Sequence, residues 1–185
     1  NSTAQVLLGS NTLTLSGSLL TNSGGAETLP LAADLNNTYQ GIISGTGNII
    51  KDGAYKQTFS AGGALSYTGT TTINNGILQY NKASATTGVT VNNGGTFLAN
   101  AANATGSTAA VSLDGTTSTF QINNGFNQSI GSLTGVVNSR ILFVRGAGST
   151  TLTITDNGGS PTVFSGILQD TGVGAVGGSL TKDGS

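Results

Sequence analysis

The phrase Asn-Asn-Gly occurs three times, at Asn74-Asn75-Gly76, Asn92-Asn93-Gly94 and Asn123-Asn124-Gly125. Each copy follows a short run rich in β-branched or aromatic residues: Thr70-Thr71-Thr72-Ile73, Val89-Thr90-Val91 and Phe120-Gln121-Ile122. Such residues suit a pleated backbone. Asn and Gly accept the positive φ of a sharp change of direction. Strand–corner–strand units that recur within one chain point to a repeat architecture, in which each unit buries its apolar face only against its neighbours. The 18 residues from Ile73 to Val91 fit a single coil. The 31 from Val91 to Ile122 read as one coil plus a loop protruding within residues 99–110.

Composition narrows the choice further. Charged residues are 7% of the 185, against about 25% in an average domain. The 30 glycines, and the lack of helical periodicity beyond a turn or two, exclude long helices. Disorder is disfavoured by the low charge, the 36% hydrophobic content and the alternation. Net charge is −1, and Lys51, Lys56, Lys82, Arg140, Arg145 and Lys182 are scattered, which gives no basis for nucleic-acid binding. No apolar run reaches the roughly 18 residues of a membrane-spanning helix, so no direct membrane insertion is expected of this segment. Without cysteine there is no disulfide, thiolate nucleophile or Cys metal site. No signal peptide is visible at Asn1, so the signal of an exported protein would lie upstream.

Short alternating strands run along the whole chain. Val6, Leu7 and Leu8 read as one, and Leu13 with Leu15 as the next, bracketed by Gly9 and Gly17. Asn22-Ser23-Gly24-Gly25 reads as a loop and Pro30 as an edge or corner. Val111 with Leu113, Ile141 with Phe143, and Leu152 with Ile154 continue the series, with Ile130-Gly131-Ser132-Leu133 as a turn-like step. Ile73, Val91, Leu113, Ile122, Leu152 and Ile154 are expected to point inward. A longer period overlies the short one. Tyr39-Gln40-Gly41-Ile42-Ile43 returns as Phe164-Ser165-Gly166-Ile167-Leu168, offset by 125 residues. The step Lys51-Asp52-Gly53 returns as Lys182-Asp183-Gly184, offset by 131, with an insertion around residues 170–177. Residues 1–185 are therefore read as one solenoid fragment of a longer array, with 39–163 one long unit and 164–185 the start of the next.

The fold expected from these patterns is all-β, a right-handed parallel β-helix (β-solenoid). Strands this short, with no Trp and ten aromatics, are poorly suited to a thick sandwich core. A solenoid needs only small inward residues and coils stacked at ~4.8 Å, about eight of them here giving a rod on the order of 40 Å. Its Asn corners would stack on one another. The alternative is an antiparallel β-sandwich, in which the Asn-Gly pairs are hairpin turns.

The ordered pieces Gly45-Thr46-Gly47, Lys51-Asp52-Gly53, Tyr67-Thr68-Gly69-Thr70-Thr71-Thr72-Ile73 and Asn75-Gly76-Ile77-Leu78 resemble the passenger-associated transport repeat (autotransporter-associated β-strand repeat) of bacterial autotransporter passenger domains. The likeness covers residues 41–80. Residues 54–66 depart from the usual Gly-Thr-Leu-Thr-Leu-Ser-Gly, and no β-barrel translocator accompanies the repeat. The resemblance implies a secreted protein on the surface of a Gram-negative-type bacterium, with repeats that assist passenger folding and export.

Chemistry-bearing residues are sparse. With no His and no Cys, the abundant Ser and Thr have no imidazole base. The acids Glu27, Asp34, Asp52, Asp114, Asp156, Asp170 and Asp183 never fall within three residues of one another. Asp114-Gly115 and Asp156-Asn157-Gly158-Gly159 contain fragments of calcium loops but complete neither an EF-hand nor a β-roll nonapeptide. No catalytic residue, metal site or cofactor is therefore assigned. Asn36-Asn37-Thr38, Asn103-Ala104-Thr105 and Asn127-Gln128-Ser129 match the glycosylation pattern. The candidate residues are structural: the corners Asn74, Asn75, Gly76, Asn92, Asn93, Gly94, Asn123, Asn124 and Gly125, and the turns Lys51, Asp52, Gly53, Lys182, Asp183 and Gly184. The Lys-Asp-Gly steps read as tight turns with a solvated flank, in like corners far apart on the axis. The function expected is a non-catalytic structural or adhesive rod, with like chains, surface glycans or other cells as partners. Two alternatives stand beside it: a self-assembling sheath or surface-layer subunit, and a β-helix polysaccharide lyase or hydrolase.

Overall fold

The computed structural model describes residues 5–7, 13–15, 37–60, 65–123, 125–156, 162–171 and 177–183. The loop expected at 22–25, the corner at Pro30, and Asn36, Asn124, Asn157 and Gly184 lie outside the described residues. Every strand pairing among the described residues is parallel. The described residues form a parallel β-helix with up to seven strands stacked on one side, and the sandwich of hairpins is excluded.

Each coil has three sides. The first carries β2 (Leu13–Leu15), β5 (Ile49–Lys51), β7 (Thr70–Ile73), β9 (Gly88–Val91), β11 (Ala110–Leu113) and β14 (Ser132–Gly135). The second carries β3 (Asn37–Tyr39), β6 (Lys56–Phe59), β8 (Gly76–Tyr80), β10 (Gly95–Ala99), β12 (Thr119–Ile122), β15 (Arg140–Val144) and β17 (Ile167–Thr171). The third begins with β1 (Gln5–Leu7) and β4 (Ile42–Ser44) and ends with β13 (Gln128–Ile130), β16 (Thr150–Ile154) and β18 (Gly178–Lys182). Between them the third side is held by the bridges Ile43–Leu65 and Leu65–Ser84, then by Ser84 N–H to Asn103 C=O and Asn103 N–H to Asn127 C=O. Seven strands on the second side, at ~4.8 Å each, span about 29 Å.

Alternation decides which side chains enter the core. In β8 and β10 every second residue is buried, as period-2 geometry requires. Ile73, Val91, Leu113, Ile122 and Leu152 are fully buried and Ile154 packs partly against them, as expected from the sequence. Parallel register then stacks like on like. Ile49, Thr71, Val89, Val111 and Leu133 form one inward column. Tyr39, Phe59, Tyr80, Ala99, Ile122 and Phe143 form another. Rings continue up the axis from Tyr39 through Phe59, Tyr80 and Phe97 to Phe120, with centroids 5.0–6.3 Å apart. The stack changes column between Tyr80 and Phe97, because Tyr80 is in register with the small Ala99 and not with another ring.

Coil length varies while the faces stay in register. Thr71 to Val89 is 18 residues, Val89 to Val111 is 22, and Leu152 to Leu180 is 28. Val91 therefore pairs with Leu113, and Ile122 pairs with Ala99 on a different side. The loop expected to protrude within 99–110 does not protrude. Ala104, Thr105 and Ala109 are buried within it. The amide of buried Gln128 takes the place of a strand there: it donates to the carbonyls of Ala101 (2.7 Å) and Phe126 (2.9 Å) and accepts the Ala104 N–H (2.9 Å).

The inward assignment has a direct test. Ile73→Asp places an unpaired carboxylate in the core and should cost on the order of 4 kcal/mol in denaturant unfolding. Thr72→Asp, one residue away on the outward face, should stay within about 0.5 kcal/mol.

Candidate functional site

The corners collect most of the polar side chains that reach from one coil to the next. Asn74-Asn75-Gly76 and Asn92-Asn93-Gly94 both lie between the first and second sides, and stack. Asn92 Nδ2 donates to Asn74 Oδ1 at 2.7 Å, and Asn74 Nδ2 in turn donates to Asp52 Oδ1. Gly76 (φ +69°) and Gly94 (φ +80°) turn the chain there. A Cβ on Gly76 would also collide with the Gly53 carbonyl of the neighbouring coil. The third copy of the phrase does not join this stack. Asn123 follows β12, between the second and third sides, and donates to Asn100 Oδ1 (2.7 Å), while Asn100 donates to Asn81 Oδ1 (2.9 Å). Asn81 and Asn100 were missed in the sequence. The available signal was their place, directly after Tyr80 and Ala99 at the ends of β8 and β10. Gly125 shares the left-handed φ (+77°) but has open space around it.

The Lys-Asp-Gly steps part company as well. Lys51 is not a solvated flank. It sits in the inward column in register with Ile73 and is 4% exposed. Its ammonium donates to the carbonyls of Gly53 and, at 3.3 Å, Asn75. Burial lowers its pKa, and the neighbouring Asp52 opposes that shift. Lys182 ends β18 on the third side, opposite Ile154, and is exposed. The two steps therefore occupy different sides of the coil and not like corners.

A chain of buried hydroxyls crosses the core. Tyr80 Oη lies 2.6 Å from Tyr67 Oη, Tyr67 Oη contacts Thr71 Oγ1, and Thr71 Oγ1 lies 3.3 Å from Thr86 Oγ1. Thr86 Oγ1 donates to the Gly69 carbonyl at 2.7 Å. Read from that fixed end, one direction satisfies every proton: Tyr80 donates to Tyr67, Tyr67 to Thr71, Thr71 to Thr86. Burial raises the pKa of both tyrosines, Tyr80 strongly. With all four residues at most 2% exposed, no substrate can reach these hydroxyls, and their role is to lock one coil against the next.

Among the described residues, the corner acids Asp52 and Asp114 do not form a hydrolytic pair. Asp52 and Asp114 share one column, three strands apart through Asn74 and Asn92, about 14 Å at sheet spacing and beyond the ~9.5 Å limit for glycoside hydrolysis. Asp170 is tied to the Gly178 N–H (2.8 Å) and to Arg145 (3.2 Å), and these contacts, the backbone N–H foremost, lower its pKa. Asp156 and Asp183 follow the ends of neighbouring strands, since Ile154 pairs with Lys182. Among the described residues no group of three potential metal ligands forms. The sequon Asn103 and Asn127 side chains accept the backbone N–H groups of Ser129 (3.2 Å) and Thr151 (2.8 Å) in the adjoining coils.

Two measurements probe this architecture. Asn74→Ala removes one donor and one acceptor from the corner stack and should cost about 1 kcal/mol. Asn74→Asp should cost more, since it sets a carboxylate against Asp52. For the tyrosines, the unfolded chain ionises near its ordinary pKa of 10.0 while the folded chain resists. Stability should thus hold below pH 10 and fall as pH rises beyond it. Tyr67→Phe with Tyr80→Phe should flatten that alkaline loss. Because the two hydroxyls act on each other, the double variant should cost less than the sum of the single ones in chemical unfolding.

Comparison of the chain with models of known families, with curated proteins and with solved structures returns no match.

Proposed function

We propose that this chain is a non-catalytic structural or adhesive segment of a secreted bacterial surface protein, built in the manner of an autotransporter passenger. One observation carries the proposal. The polar side chains at the corners are engaged in hydrogen bonds from coil to coil, Asp52–Asn74–Asn92 on one edge and Asn81–Asn100–Asn123 on the other. Groups so engaged hold a rod together and are poorly placed to turn over a substrate. The outward column Thr72, Thr90, Ser112 and Thr134 on the first side supports the adhesive part. It offers a row of small hydroxyl groups, in which Thr134 donates to Ser112 and Ser112 to Asp114, suited to weak, repeated contacts with glycans.

The test is display of residues 1–185 on the surface of a Gram-negative cell, fused to a translocator barrel, with glycan binding and sugar cleavage assayed side by side. The expected outcome is multivalent binding, lost when Thr72, Thr90 and Thr134 become Lys together, and no cleavage of polysaccharide. Cleavage abolished by Asp156→Asn or Asp183→Asn would replace this reading with the β-helix lyase or hydrolase.

A further inference from the structure

The corner phrase carries a chemistry that a rod does not need. An asparagine followed by glycine can close on itself, the glycine nitrogen attacking the side-chain amide carbon. Asn75-Gly76 and Asn93-Gly94 are each preceded by another asparagine, so their local sequence is the same. They differ in what the neighbouring coil does to them.

In the first copy the two reacting groups face each other. Asn75 Oδ1 lies 2.8 Å from the Gly76 nitrogen, which brings the amide carbon, one bond from that oxygen, close to the atom that would attack it. Asn75 is exposed, so water and base reach it. Gly76 cannot give way to a larger residue. Its φ is +69°, and a Cβ there would collide with the carbonyls of Gly53 and Tyr55. The fold thus requires glycine after Asn75. One bond restrains the nitrogen: Gly76 N–H donates to the Gly94 carbonyl at 3.1 Å. Reaction waits on the opening of that bond, a local event at one corner and not the unfolding of the helix.

In the second copy Thr117, from the next coil, stands between the same two groups. Its hydroxyl accepts the Gly94 N–H at 2.8 Å, and its N–H donates to Asn93 Oδ1 at 3.3 Å. The Thr116 hydroxyl donates to Asn93 Oδ1 as well, at 3.4 Å. Nitrogen and side-chain carbonyl are each turned to Thr117 and not to one another.

We propose that Asn75 is a site of spontaneous covalent modification, and that Thr117 protects Asn93 from the same reaction. The Gly76 nitrogen gives its proton to hydroxide or a buffer base and bonds to Asn75 Cγ. The bond from Cγ to the side-chain nitrogen breaks, and that nitrogen takes a proton from water and leaves as ammonia. The product is a succinimide ring. Water then adds to one of its two carbonyls and opens it, to aspartate or to isoaspartate, and no electrons are exchanged. Isoaspartate lengthens the main chain by one methylene between β7 and β8. It displaces the Asn75 carbonyl, which accepts from the Lys51 ammonium at 3.3 Å, and the Gly76 N–H that pairs with Gly94. Ageing at this one residue therefore loosens a corner that ties three coils together.

The test follows the full chain in mildly alkaline buffer, native and in denaturant, by peptide mass mapping, with an aspartate-directed protease to tell aspartate from isoaspartate. In denaturant the two copies should react at similar rates. In the native chain Asn75 should react several-fold faster than Asn93, and its rate should rise in proportion to hydroxide. Thr117→Val keeps the N–H and the branched shape but lacks the hydroxyl acceptor, and Thr117 is exposed, so the core is left intact. That variant should raise the Asn93 rate several-fold and leave the Asn75 rate unchanged. The modified native chain should exchange the amide hydrogens of Gly76 and Ile77 faster than the unmodified one. A native chain in which Asn93 reacts as fast as Asn75, or in which Asn75 stays intact while the denatured chain is consumed, would overturn the proposal. An Asn93 rate unmoved by Thr117→Val would overturn the protection assigned to Thr117. Glycan binding by the rod is judged separately from all of these.

Discussion

Parallel pairing along the axis is the constraint from which the rest follows. It puts the same position of successive coils in contact, so a residue's neighbours are its counterparts about 20 residues away and not its neighbours in sequence. An apolar column is then favourable at every level, as in Ile49, Thr71, Val89, Val111 and Leu133. A polar inward residue is costly unless the adjoining coil or its own turn supplies a partner, because an unmade buried hydrogen bond costs about 1–3 kcal/mol; the buried Thr105 hydroxyl makes none. Thr71 obeys this rule through Thr86 and the two tyrosines, and Gln128 through the backbone of residues 101–104. Lys51 obeys it through two carbonyls, one of which belongs to the next coil.

These polar insertions define register where apolar packing is permissive. Sliding β7 by one residue along its neighbours would turn Thr71 and Ile73 outward and bring Thr70 and Thr72 inward. The hydroxyl chain from Tyr80 to Gly69 exists in a single alignment of three coil segments. The ring stack from Tyr39 to Phe120 adds shape to the same alignment: Tyr80 is in register with Ala99, and the volume Ala99 leaves lets Tyr80 and Phe97 meet edge to face at 5.0 Å. A narrow core of this kind has little volume to lose, so register is specified by a few residues at high density.

Much of this was legible in the sequence and some was not, for a definite physical reason. Alternation is local, so the inward set from Ile73 to Leu152 could be read directly. The 18-residue step from Ile73 to Val91 could be read because that coil carries no excess residues. The next coil holds 22 residues counted on the first side and 23 on the second, and the excess sits on the third side between β10 and β11, where the Gln128 amide and single backbone bonds replace strand pairing. Counting from Val91 to Ile122 thus crossed from the first side to the second, and placed Asn123 in the wrong stack. The misplacement of Lys51 had another origin. Its composition suggests solvent, but it stands two residues after Ile49, and alternation had already assigned it inward.

The third side is where the helix absorbs variation, and this bears on where function can evolve. The first and second sides keep continuous sheets of six and seven strands, so an insertion there would break pairing in two directions at once. On the third side, between β10 and β11, the Gln128 amide and the backbone bonds of Asn103 stand in for a strand. Length changes there cost mainly loop closure, which grows slowly with length. The two continuous sides supply stiffness and the hydroxyl row. The third side is the part of the rod free to acquire contacts without loss of the stack.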